Sequence, residues 1–421
     1  MVVHSATLAI NEEMQERRRR GEPVVHLGFG EAGLPVLPEI VDALRANAHR
    51  NSYAPVTGSE ACRTSVAGYL TRHGVETEHH QVMMAPGSKP LLYGLIAALP
   101  GDVVLPAPSW VSYAAQAALT GKRVVRVPIP AKAGGVPDPD LLEPALARAR
   151  ADGARPGILL LTLPDNPTGT TADPDLVSRV CGLAREHELV VVADEIYRDL
   201  AEAPDQVASP AALLDDHVAA TGGLSKNVAL GGWRVGFVRT PATAWGHDLR
   251  SRLVGIASEV WSCVAAPIEA AAAYVFEEPP VVAERVAASR RLHLSVSRAM
   301  YDVFIDAGAT CRRPTAAFYH YPDLEALRDG LTRRGVRADP ATGTVSASAT
   351  AEYLLQRHGL ALLPGDSFGD DGRALRFRVA TSLLYGEGDQ RLEALNSADP
   401  AALPWITESL NVVRHALGEL A

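Results

Sequence analysis

The stretch LVVVADEIY, residues 189–197, is apolar at each of its first five positions and then turns to Asp194, Glu195, Ile196 and Tyr197. A short run with no polar face predicts a strand buried on both sides, as in a mostly parallel sheet covered by helices. Runs of the same kind occur at 103–105, 124–127, 158–163 and 235–238, with longer helical stretches between them. That alternation between about residues 80 and 240 is an α/β rhythm, and in such sheets ligands collect at the carboxyl ends of the strands. Asp194 stands at such an end. A carboxylate there is costly unless it caps a helix or meets a cation or a metal.

Outward from this sheet the chain changes character. Residues 281–313 read as one long helix or a pair, and the runs at 317–321, 360–363 and 375–380 supply a few more strands among helices. These imply a large domain over 46–285 and a smaller α+β domain built from 1–45 and 286–421.

The chain has 421 residues, 47% hydrophobic and 21% charged, with a net charge of −9. This is the profile of a globular protein large enough for two domains, and it does not favour nucleic acid. The one dense basic cluster, Arg17 to Arg20, follows Glu12, Glu13 and Glu16 and precedes Gly21. It reads as a helix with acids in its first turn, bases in its last and a glycine beyond. Cys62, Cys181, Cys263 and Cys311 lie far apart, which argues against a zinc site or a disulfide framework and for a reducing cytoplasm. No run approaches the roughly 20 apolar residues of a membrane span, and no signal peptide is expected.

Four segments carry chemistry. Residues 221–237 place Lys226 among Ser225, Gly223, Gly231 and Gly232, with Arg234 eight positions on as a fork for a phosphate dianion. An amine beside an arginine has its ammonium form disfavoured, which makes it a better imine former. The second segment is Asp194 to Tyr197. The third, LPDNPTG at 163–169, is a turn after a strand and offers Asn166 to a ligand. The fourth, APGSK at 85–89, precedes a helical run whose free amides make an anion site. Taken singly, the lysine suits a surface charge and the two turns suit plain turns.

Together, in this order and spacing, the segments resemble the class I/II aminotransferases of the pyridoxal-phosphate (PLP) fold type I superfamily, from about Leu27 to Ser382. The resemblance implies a large α/β domain with a mostly parallel sheet sandwiched by helices, and a smaller α+β domain. LSKNVALGGWRVG at 224–236 is similar to the family's cofactor-lysine signature. Lys226 would then carry PLP as a Schiff base, with Ser225 and Arg234 on its phosphate. Asp194 would face the pyridine nitrogen, and Tyr197 and Asn166 the phenolic oxygen, with a cis peptide expected before Pro167. Gly87, Ser88 and Lys89 would cradle the phosphate, and Trp110 of PSWVSY would stack on the ring. Tyr53 would reach the phosphate of a neighbouring subunit, implying a homodimer with shared sites.

For the substrate, the resemblance points to Gly30 of HLGFGE and to Arg376 of LRFRVATS for the α-carboxylate, with Arg378, two residues on, as the other choice. Gly223 stands where the family has a serine, leaving one phosphate hydroxyl for Thr221 or a water to replace. A loose alignment brings Trp261 to the place that reads an acidic side chain in aspartate-specific members, so a dicarboxylic substrate is disfavoured. The implied reaction exchanges an amino group between an L-amino acid and a 2-oxo acid, with no metal. Other PLP chemistry on an amino acid is the nearer alternative: β- or γ-elimination or replacement, carbon-carbon or ring formation, or oxidation. A PLP-sensing regulator is the remote one.

Overall fold

The computed structural model describes residues 5–214, 216–338 and 343–421. Seven strands form the main sheet: β1 (Val82–Ala85), β2 (Asp102–Ala107), β3 (Val124–Pro128), β4 (Pro156–Thr162), β5 (Val190–Asp194), β6 (Val218–Gly223) and β7 (Gly236–Arg239). Their order is β1-β7-β6-β5-β4-β2-β3. The pairs from β6 to β3 are parallel, whereas β7 runs antiparallel to both β6 and β1. All five expected runs are strands. The run at 235–238 is the reversed one, and β1 and β6 complete the sheet.

Alternate residues of each central strand enter different cores, as a two-residue side-chain period requires. Leu159, Leu161, Val191 and Ala193 pack with the helices Glu60–Arg72, Pro174–Glu186 and Ala266–Phe276 on one face. Ile158, Leu160, Val190 and Val192 pack with the helices Ser88–Ala98, Val111–Leu119 and Ala244–Val260 on the other. Both faces are therefore dry, which is why these runs carry no polar stripe.

The expected helix at 281–313 is a single helix, Pro280–Asp306. It starts against the sheet at Val282 and ends in a separate core through Leu292, Val296, Met300 and Phe304. That second core takes Leu27 and Leu34 from the N-terminal segment and Leu354, Phe377, Val379 and Leu410 from the C-terminal one. Three short antiparallel strands cross it, Tyr319–His320, Leu363–Pro364 and Phe377–Ala380.

The basic cluster ends a helix, Ala6–Arg19, with Gly21 in the left-handed region at φ 73°. The helix begins earlier than the charge pattern suggested. Its first turn holds no acid; Glu13 lies one turn before Arg17 and pairs with it at 2.7 Å. This early start matters, because it carries the chain to the mouth of the site. All four cysteines are free, and the described residues contain no cluster of His, Cys, Asp and Glu fit for a metal. No described helix is long and apolar enough to cross a membrane.

Candidate active site

The carboxyl ends of β1, β2, β4, β5 and β6, with the amino end of the reversed β7, lie along one edge of the sheet. The segments that follow or precede them enclose a cavity of about 520 Å³, lined among others by Ser88, Trp110, Asn166, Asp194, Tyr197, Ser225, Lys226, Arg234 and Arg378. This is the edge where a parallel sheet leaves helix N-termini and loop amides facing a ligand.

At the end of β5, Asp194 is 3% exposed. It accepts hydrogen bonds from the Tyr113 hydroxyl at 2.9 Å, the Thr221 hydroxyl at 3.4 Å and the Ile196 amide at 3.4 Å. Burial raises its carboxyl to about 6, against the three hydrogen bonds and the attraction of Lys226. No cation pairs with it directly among the described residues.

Lys226 follows β6. Its ammonium donates to the Gly30 carbonyl at 2.6 Å. Burial, reinforced by the positive charges of Arg378 and Arg234, lowers it to about 8. Near neutral pH it thus keeps a sizeable fraction of free amine, as an imine-forming lysine needs.

Tyr197 and Asn166 converge as expected, with the Asn166 amide nitrogen 3.4 Å from the Tyr197 hydroxyl. The amide oxygen of Asn166 is buried without a partner. The peptide before Pro167 is trans, contrary to expectation; the cis bonds among the described residues are Leu163–Pro164, where the chain leaves β4, and Ala107–Pro108, where it leaves β2.

The phosphate end is built from three segments. Gly87, at φ 93°, caps the helix Ser88–Ala98, and a Cβ there would collide with the Arg234 guanidinium. The positive φ favours glycine there, and a larger residue would push the guanidinium aside. Lys89 and Ser88 line the cavity, and the Lys89 ammonium sits 5.1 Å from the Trp110 ring centroid. Thr221 does not replace the missing serine hydroxyl, because it is turned toward Asp194. Nor could position 223 hold a side chain: a Cβ would lie 2.5 Å from the Val235 carbonyl oxygen.

The arginine register differs from expectation. Arg376 lies ahead of the strand Phe377–Ala380 and is already held by Asp323 at 2.9 Å and Asp370 at 3.1 Å, outside the cavity. Arg378 is 1% exposed and lines the cavity. It donates to the Gly28 carbonyl, lies over the rings of Tyr319 and Phe368 at 5.2 and 5.3 Å, and has no carboxylate partner among the described residues. An arginine that already holds two carboxylates is not free for a third; a buried one without an anion is.

Gly30 lines the cavity, and any Cβ on it would strike the Tyr319 hydroxyl. Tyr53, 94% exposed, and Trp261 both lie outside this chain's cavity. Trp261 packs with the core around Leu95 and Leu253 instead. Residues missed by the motif reading are Tyr113, Thr162, Tyr319, and Ser5, Thr7 and Leu8 at the start of the first helix. Tyr113 had a signal, one helical turn after Trp110 in PSWVSY. The N-terminal residues had none.

Residues 22–383 match the family described as aminotransferase class I and II. The chain is 30% identical over 402 residues to a protein named aspartate aminotransferase from Streptomyces avermitilis, covering 93% of this chain and 92% of that one. It is 29% identical over 392 residues to a Petunia hybrida protein named bifunctional aspartate aminotransferase and glutamate/aspartate-prephenate aminotransferase, covering 90% and 78%. Among solved structures, aspartate aminotransferase from Thermus thermophilus with maleate superposes with a TM-score of 0.79 at 24% identity, covering 94% of this chain and 96% of that one. A fold, a cavity and a sequence match over most of the chain agree: this protein belongs to the class I and II aminotransferases, a PLP-dependent enzyme family.

Proposed function

We propose that the chain holds PLP on Lys226 and exchanges an amino group between an L-amino acid and a 2-oxo acid. The observation that carries this reading is the meeting, in one cavity, of a buried amine lowered to about 8 with a buried carboxyl that lacks a cation. Arg378 and Arg234, which pair with no carboxylate among the described residues, fit the anionic groups of such a cofactor and its substrate.

Bound PLP would supply an electron-accepting ring. Asp194, fixed by Tyr113 and Thr221, would keep a proton on the ring nitrogen. Tyr197 and Asn166 would hold the phenolic oxygen, and Ser88, Ser225, Lys89 and Arg234 the phosphate. Arg378 would clamp the α-carboxylate near Gly30. Lys226, once its amine is free, is the base placed to move the α-proton. We take the two cores as the two domains, with the cavity between them, and a homodimer as the working assembly.

For the side chain we propose a non-dicarboxylic amino acid, because Leu8, Phe29 and Glu31 line the mouth and a second carboxylate there would oppose Glu31. The names of the relatives favour the rival, an acidic donor. Single amino acids added to the purified holoenzyme without an oxo acid separate the readings. The proposal expects stoichiometric 2-oxo acid and conversion of the cofactor to its amino form, most readily with non-acidic donors. Release of ammonia or a side-chain fragment with return of the original spectrum would replace transamination by elimination.

A further inference from the structure

Tyr319 was not among the residues expected at the site, yet its hydroxyl stands at a junction of it. The strand Tyr319–His320 pairs with Phe377–Ala380, so that Ala380 lies opposite Tyr319. The ring is 1% exposed and enters the cavity. Its hydroxyl is 2.7 Å from that of Tyr197, with the two rings nearly perpendicular at 83°. The same ring carries the Arg378 guanidinium on its face at 5.2 Å. The backbone of Gly30, which receives the Lys226 ammonium, passes so close that only a glycine fits beside the Tyr319 hydroxyl.

We propose that Tyr319 is a positioning residue that acts through Tyr197: its hydroxyl donates to the Tyr197 oxygen and holds the Tyr197 proton toward the cavity, while its ring separately seats Arg378. The logic is one of donor count. Each hydroxyl has one proton, and the pair shares a single O–H···O bond. If Tyr197 is to give its proton to an oxygen in the cavity, the proton between the two phenols must come from Tyr319. Asn166, at 3.4 Å, is a longer and weaker second donor to Tyr197. Hydrogen bonds in such a chain polarise one another in a dry site, so Tyr197 becomes a stronger donor than an isolated phenol.

This rests on the reading that Lys226 carries PLP with Tyr197 on its phenolic oxygen. A stronger donor there draws charge from that oxygen and loosens the proton on the neighbouring lysine-linked nitrogen. Loss of the Tyr319 hydroxyl should therefore tighten that proton, whereas loss of the ring should disturb Arg378 and carboxylate binding.

The test is a pH titration of the visible absorbance of the holoenzyme, paired with the affinity for a non-reacting α-methyl amino acid. Tyr319→Phe should move the titration midpoint upward by about half a unit and leave that affinity within about twofold, since the ring stays under Arg378. Tyr319→Leu should move the midpoint and also weaken the ligand by about fivefold. In a Tyr197→Phe background, Tyr319→Phe should shift the midpoint no further, because the effect passes through Tyr197. An unmoved midpoint in Tyr319→Phe, an equal shift in both backgrounds, or loss of the visible band in Tyr319→Phe would each overturn the proposal. A wild-type protein with no visible band would instead overturn the Lys226 reading beneath it.

Discussion

The Tyr113 hydroxyl donates to Oδ2 of Asp194 at 2.9 Å, and it also lies 2.9 Å from the Thr162 hydroxyl. Tyr113 and Asp194 are both almost fully buried. The bond ties the helix that starts after Trp110 to the end of β5, so the residue expected to stack on a ring and the residue expected to face its nitrogen share one brace.

Asp194→Asn keeps much of this hydrogen bonding and removes the charge. Losing one partner of a buried ion pair costs about 3–5 kcal/mol, so turnover should fall about 10²- to 10⁴-fold. Apoprotein stability should respond the other way. The folded carboxyl, at about 6, titrates above its ordinary 3.8. Its favourable contribution is therefore complete below about 4 and is lost as pH rises through 6. At pH 7 apo Asp194→Asn should be at least as stable as wild type by denaturant unfolding; a clear loss of stability would contradict this.

The Lys226 amine, lowered to about 8, sets a pH window for cofactor uptake. Below that value the free-amine fraction falls about tenfold per unit. Reconstitution of the apoprotein with PLP, followed by absorbance, should quicken up to about pH 8 and then level off. A rate that keeps rising toward 10.5 would mean the lysine behaves as an exposed one.

Arg378 and Arg376 make opposite predictions. Arg378→Lys loses a two-pronged carboxylate contact, and KM for the amino donor should rise by about 10²-fold. Arg376→Ala breaks half-exposed pairs with Asp323 and Asp370. Such pairs are worth about 0–1 kcal/mol, so KM should hold within about twofold and thermal stability should drop only slightly. Comparable KM effects from both would dissolve the distinction.

The sheet was legible because β2, β4 and β5 are buried on both faces and so are apolar at nearly every position, and the edge strand β3 is still rich in valine. β1 and β6 were less so: β1 is only four residues long, and β6 is made of Ala219, Ala220, Gly222 and Gly223, where a Cβ at position 222 would meet the Phe237 ring at 2.6 Å, and small residues carry little pattern. Most of the proposed cofactor frame was legible for another reason. Lys226, Asp194, Asn166 and Arg234 each sit at a strand end in a short, composition-marked turn. Arg376 and Arg378 were harder, since two arginines two positions apart in a strand-like run differ only in which carboxylates the fold brings to them. Asp323, 53 positions away, and Asp370, six positions before it, capture the first. Tyr319 reaches the cavity from a small cluster with Tyr197, Phe318 and Ala380, and the start of the first helix is seated by Ala6 against Tyr321, Leu363 and Phe368; no local motif encodes either.

The most direct test of the account is the absorbance spectrum and turnover of Lys226→Ala, purified beside wild type with PLP present. The account predicts that wild type shows a visible band from the lysine-bound cofactor, that the variant lacks it, and that amino transfer falls to background. A variant that keeps both the band and the activity would contradict it.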